Sequence, residues 1–119
     1  MTTMQCSISD KRCAPCEGGS KALDQTAVKA FMGQLASSWK VNADNKVISC
    51  DFPFKNYYQT MAFVNAIAFM AHSENHHPDL EVGYNHCLVR YTTHALDGLS
   101  ENDFICAAKV DALRETLGR

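Results

Sequence analysis

The sequence predicts an α+β domain, a four-stranded antiparallel sheet with three helices packed on one face in the order α-β-β-α-β-β-α. Three observations carry this. Apolar residues recur at helical spacing in three stretches, two pairs of short segments alternate apolar with polar residues, and each pair is joined by a brief turn-like cluster.

In chain order, residues 1–22 contain Gly18-Gly19-Ser20 and few large apolar side chains, which reads as a flexible N-terminal segment. The folded domain is expected over 23–119. Val28, Phe31, Leu35 and Trp39 recur at spacings of three and four and predict an amphipathic helix behind an Asp24 N-cap. Two strands, near 39–42 and 46–52, flank the cluster Ala43-Asp44-Asn45, with Ile48, Cys50 and Phe52 on one face. After Pro53 a second helix is expected over 56–73, since Met61 to Ala71 is apolar except at Asn65. So apolar a helix needs cover on more than one side, which predicts a homo-oligomer, a dimer or tetramer.

Pro78 forces His77 out of helical geometry, placing His76 and His77 in the turn that leads to the third strand. Leu80, Val82 and Tyr84 alternate there. Cys87, Val89, Tyr91 and Thr93 alternate in the fourth strand, with His86, Leu88, Arg90, Thr92 and His94 opposite. Ser100-Glu101-Asn102-Asp103 has capping-box form and opens a last helix toward Leu117.

Composition narrows the function. At 119 residues, with 46% hydrophobic and 20% charged residues, the chain is sized for one globular domain. A formal charge of -2 gives no basic field for phosphates, so no direct nucleic-acid partner is expected. No apolar run is long enough to span a bilayer, and the start Met1-Thr2-Thr3-Met4-Gln5-Cys6 lacks the layout of a secretion signal, so a cytoplasmic protein without a membrane partner is expected. Cys50, Cys87 and Cys106 fall in apolar periodic segments and read as reduced core residues. Cys13-Ala14-Pro15-Cys16 is a CxxC, a weakly specific pattern for redox chemistry or half a zinc site, with Cys6 as a third thiolate.

All five histidines fall between positions 72 and 94. Histidine exchanges protons near neutral pH, so this concentration points to proton transfer or metal binding. His76 and His77 meet one ligand only if the turn before Pro78 bends the backbone, and His94 joins them if the fourth strand ends beside that loop. Zinc held by three histidines is the competing chemistry, but His72 and His76, one helical turn apart, straddle the predicted helix end. The plain structural alternative is that these histidines are solvated; it is the stronger reading for His72 and His86. Asp103 reads first as a capping residue, and second as a carboxylate able to orient His94. Tyr57, Tyr58 and Met70 read as core or interface residues, and Arg90 as a solvated or paired one.

His76-His77-Pro78, Tyr84, Thr93-His94 and Gly98-Leu99-Ser100 with Asp103 together resemble the signature of the pterin-4a-carbinolamine dehydratases, also called dimerisation cofactors of a homeodomain transcription factor. The likeness spans residues 24–115. It implies the same fold, catalysis by His76, His77 and His94, and a pterin-binding set of these three with Pro78, Thr93, Ala95 and Leu96. The implied reaction is loss of water from a 4a-hydroxytetrahydropterin, as in tetrahydrobiopterin recycling, without metal or organic cofactor. A non-enzymatic role as dimerisation cofactor or transcriptional coactivator, through a partner helix, is the alternative that the resemblance also carries. Some members have a glutamate where this chain has His72 and an aromatic residue where it has Leu80.

Overall fold

A computed structural model describes residues 8–15 and 21–117. Its elements are α1 (Gln25–Met32), β1 (Lys40–Val41), β2 (Ile48–Pro53), α2 (Tyr57–Glu74), β3 (Asp79–Val82), β4 (His86–Tyr91) and α3 (Glu101–Leu117), with short 3₁₀ helices at Ile8–Asp10 and His94–Leu96. The four strands form one antiparallel sheet in the order β1-β2-β4-β3. This is the predicted α+β architecture.

Asp24 caps α1 by accepting the Ala27 N–H at 2.8 Å. The helix is shorter than the Val28-to-Trp39 stripe suggests. Gly33 stands at its C-cap, and beyond it Asp111 of α3 takes the Ala36 N–H at 3.1 Å and the Trp39 indole N–H at 2.8 Å. That carboxylate replaces helical bonding with turns while keeping Trp39 buried. In the β1–β2 hairpin the Asn42 side chain accepts the Lys46 and Val47 N–H groups, and Asn45 takes a left-handed φ of 57°.

β2 and β4 pair at the centre, with Cys50 opposite Val89 and Phe52 opposite Cys87. Ile48, Cys50, Phe52, Cys87, Val89 and Tyr91 are all buried beneath the helices. α2 begins at an Asn56 cap and buries Thr60, Phe63, Ile67 and Ala71. Its other side leaves Tyr58 83% and Phe69 78% exposed. α3 is buried almost continuously from Asn102 to Ala108, because sheet, α2 and α1 all touch it; Phe31 of α1 stacks on Phe104 at 5.2 Å.

Residues 8–15 fall in the segment expected to be loose, yet they lie along α3. Ile8 is buried, Lys109 donates to the Ser9 carbonyl at 2.7 Å, and Lys11 pairs with Glu101 at 2.7 Å. Cys6 and Cys16 lie outside the described residues, so the expected thiolate set is represented by Cys13 alone. Among the described residues no helix is long and apolar enough to cross a membrane.

The aromatic knot of the core is centred on Phe63, fully buried, with Phe52 at 4.9 Å and Phe54 at 5.0 Å between ring centres. Phe63→Ala is expected to lower the free energy of unfolding by about 3–5 kcal/mol. Urea denaturation followed by Trp39 fluorescence measures it, and a loss under about 1 kcal/mol would show that the core closes over the gap.

Candidate active site

The cleft at one end of the sheet is made where α2 stops, β4 ends and α3 begins. α2 stops at Asn75, whose left-handed φ of 54° reverses the chain while its N–H bonds back to His72 O. Asparagine tolerates this conformation better than most residues. The reversal splits the histidine pair. His76 turns inward, its side chain 15% exposed, and His77 faces solvent. On the other side β4 runs out at Tyr91, and the Thr93–Gly98 bridge closes a loop holding the 3₁₀ turn His94–Leu96.

His76 meets Asp103, the third residue of α3. Its Nε2 lies 2.6 Å from Asp103 Oδ1, and its ring stacks on Tyr91 at 5.5 Å with an interplanar angle of 14°. Asp103 has no solvent exposure; its Oδ2 accepts the Thr93 hydroxyl at 2.7 Å and the Ser100 N–H at 2.9 Å. The Ser100 hydroxyl, 2.7 Å from Thr93 Oγ1, completes the network. The capping role expected of Asp103 is therefore present in its Ser100 half. The imidazole it holds is that of His76, not His94, because Asn75 turns His76 toward the start of α3.

Burial draws the His76 proton affinity down, but the hydrogen bond and charge of Asp103 outweigh it and raise the pKa above its ordinary 6.5. Such a ring keeps its proton to higher pH than a free imidazole does.

The cleft has a volume of about 600 Å³ and is lined by His76, His77, Thr92, Thr93, His94 and Ala95, together with Ser73, Glu74, Asn75, Asn102 and the strap Cys13-Ala14-Pro15. The structure thus brings His76, His77, Thr93, His94 and Ala95 to one cavity. Pro78 lies behind the histidine pair, in a smaller hollow shared with His72 and Leu80, and Leu96 is not among the lining residues. His86 is remote and pairs with Asp51 at 3.0 Å. Arg90 is paired, bonded to Glu81 at 2.6 Å. Among the described residues no group of three or more His, Cys, Asp or Glu is placed to hold a metal ion.

Glu74 and Asn102 did not stand out from the sequence, and the strap stood out only as part of a CxxC, not as a wall of the cleft. The side chain of Glu74 is only 5% exposed; it pairs with Arg12 at 2.8 Å and accepts the Cys13 N–H at 2.8 Å. Burial alone would raise its pKa, but these donors and Lys109 hold it below the usual value. Asn102 grips Ala14 at both ends, accepting its N–H at 3.0 Å and donating to its carbonyl at 2.6 Å. Only tertiary placement reveals them, since the strap stands some ninety residues from α3 in sequence.

Fold and cleft together define a class of small α+β proteins whose imidazoles and a buried carboxylate surround a cavity suited to proton transfer. Comparison with known proteins makes the class particular. The family model "Pterin 4 alpha carbinolamine dehydratase" matches residues 21–113. A protein of Nitrosomonas eutropha named "Putative pterin-4-alpha-carbinolamine dehydratase" is 59% identical over 108 residues, covering 91% of this chain and 94% of its own. A Legionella pneumophila (strain Corby) protein of the same name is 56% identical over 110 residues, covering 92% and 97%. Among solved structures, a Brucella melitensis protein titled transcriptional coactivator/pterin dehydratase superposes with a TM-score of 0.74 at 26% identity, over 78% of this chain and 98% of that one. A pterin dehydratase-like protein described as a RuBisCO assembly factor in the alpha-carboxysome gives a TM-score of 0.56 at 28% identity, over 64% and 88%. The chain belongs to the pterin-4a-carbinolamine dehydratase family.

The His76–Asp103 pair links pH to stability. Because folding raises the His76 pKa, the stabilisation from its protonated form is fully present below about pH 6.5 and is lost as pH rises through the folded-state value. In Asp103→Asn the main raising influences are gone and burial remains, so His76 should titrate lower than in the wild type. NMR titration of the imidazole protons reads this directly; an unchanged midpoint would sever the ring from the carboxylate.

Proposed function

We propose that this chain dehydrates a 4a-hydroxytetrahydropterin to the quinonoid dihydropterin by histidine acid-base catalysis, in tetrahydrobiopterin recycling. The observation that carries the reading is the His76–Asp103 pair, set in one cleft with His77 and His94. The names borne by the relatives support the same substrate.

The reaction needs two proton movements. The N5 lone pair forms the C4a=N5 bond as the C4a–O bond breaks, an acid delivers a proton to the departing hydroxyl, and a base removes the N5 proton; the sum is loss of one water. An imidazolium is a suitable acid and a neutral imidazole a suitable base. His76, whose proton affinity Asp103 raises, suits the acid role. His94, exposed on the opposite rim, takes the base role, and exposed His77 positions the ring or offers a second proton path. Thr93 and Ala95 line the binding wall, while Pro78 and Leu96 act from behind the segments that carry the histidines. No step calls for a metal or organic cofactor, and we take the chain to act in the cytoplasm.

A second role rests on α2. The exposed rings of Tyr58 and Phe69 support self-association, to a dimer or tetramer, or the docking of a partner helix. The Brucella neighbour's title joins coactivator to dehydratase. Phe69→Glu should shift the sedimenting species to smaller mass, while an unaltered mass would place any self-association on another surface.

For the enzyme reading, His76→Ala and His94→Ala should each slow dehydration of a freshly generated 4a-hydroxytetrahydropterin by about a hundredfold or more. Chelator should leave wild-type turnover unchanged. Wild-type protein giving no acceleration over buffer would leave the binding role alone, and activity lost to chelator would require a metal.

A further inference from the structure

We propose that Cys13 and Cys106 are a redox-responsive dithiol, a covalent modification site at which a small-molecule disulfide fastens the wall of the cleft to the helix beneath His76. The inference stands on geometry that does not depend on the reaction proposed above. The two sulfurs lie 3.5 Å apart although 93 residues separate them in sequence. A disulfide needs about 2.05 Å, so bonding requires the strap to close by roughly 1.5 Å.

Cys13 is held where it can react. Its own N–H is bonded to Glu74 and the next residue is gripped by Asn102, so the sulfur is presented to Cys106 by anchored backbone on both sides. It is half-buried and lines the cleft, whereas Cys106 is fully buried and its sulfur lies 3.8 Å from the His76 carbonyl. Cys50 and Cys87 provide the contrast. Both are buried, and that burial pushes their thiols up to about 11. The Cys13–Cys106 contact differs, a hydrogen bond in which either sulfur can donate. Its hydrogen bond and the neighbouring His76 hold Cys106 below the usual thiol range in spite of burial, while the same bond and burial hold Cys13 above it.

The chemistry balances. Cys13, the sulfur that the cleft exposes, gives its proton to water as it attacks one sulfur of a small disulfide, whose S–S bond breaks to release a thiolate that is protonated in turn. Cys106, the thiol held low, then loses its proton and attacks the Cys13 sulfur, expelling the second small thiolate, which takes up that proton. Two protein thiols are oxidised and one disulfide is reduced to two thiols. The product ties Cys13, Ala14 and Pro15 to α3 and removes the thiol hydrogen that faces the His76 carbonyl.

The test equilibrates the full chain with oxidised and reduced glutathione at a series of ratios, alkylates the free thiols and maps the peptides without reduction. The expected result is a Cys13–Cys106 cross-link, a thiol count lower by two, and Cys50 and Cys87 alkylated only after denaturation. Cys13→Ser, which alters a half-buried site, should abolish the link with its circular dichroism unchanged; the wild-type map stands by itself if that variant fails to fold. A link from Cys13 to Cys6 or Cys16, glutathione retained on Cys13, or two thiols that stay reduced at every ratio would each overturn the assignment.

Discussion

The cleft depends on a carboxylate with no access to water. Burying an ion costs several kcal/mol unless partners satisfy it, and Asp103 has three, each from a different part of the chain: His76 after α2, Thr93 after β4, and Ser100 before α3. The group that holds the site's most enclosed histidine therefore also holds the site's three segments together. Chemistry and architecture share one interaction here, because a carboxylate placed to keep an imidazole protonated is also an acceptor that loop ends can organise around.

Much of this fold was legible in the alternation of β2 and β4. Ile48, Cys50 and Phe52, and likewise Cys87, Val89 and Tyr91, face the helices as their period of two requires. The pairing of β2 with β4 was not legible, since strands joined through an eighteen-residue helix declare no partner by local pattern. α1 stopped short of its apolar stripe because Asp111, far along the chain, captured Ala36 and Trp39. The apolar periodicity of 28–39 still marked burial correctly, but helix and buried turn read alike there.

The candidate site divides along the same line. Composition located the histidines, and Pro78 placed two of them in a turn. Which one points inward was decided by a single left-handed asparagine, Asn75, and no spacing rule reaches that. Asp103 was visible as a cap, yet its partner followed from that reversal. Glu74 and Asn102 carry no sequence signal, and the strap's CxxC says nothing of its place at the cleft, because these contacts join distant parts of the chain. The family resemblance fitted the same residues without supplying those contacts.

The strap has a consequence for how the molecule is assembled. Lys11 meets Glu101 across 90 residues and Lys109 meets Ser9 across 100, so the contacts of residues 8–15 with α3 close very long loops. Closure of such loops is entropically unrewarded until α3 is in place. Apart from the buried Ile8 and half-buried Cys13, residues 8–15 are held by polar contacts, the kind of attachment that opens at low cost in native-state fluctuations. One wall of the cleft is thus a separate segment laid over the core, and the cavity keeps its outline only while residues 8–15 rest on α3.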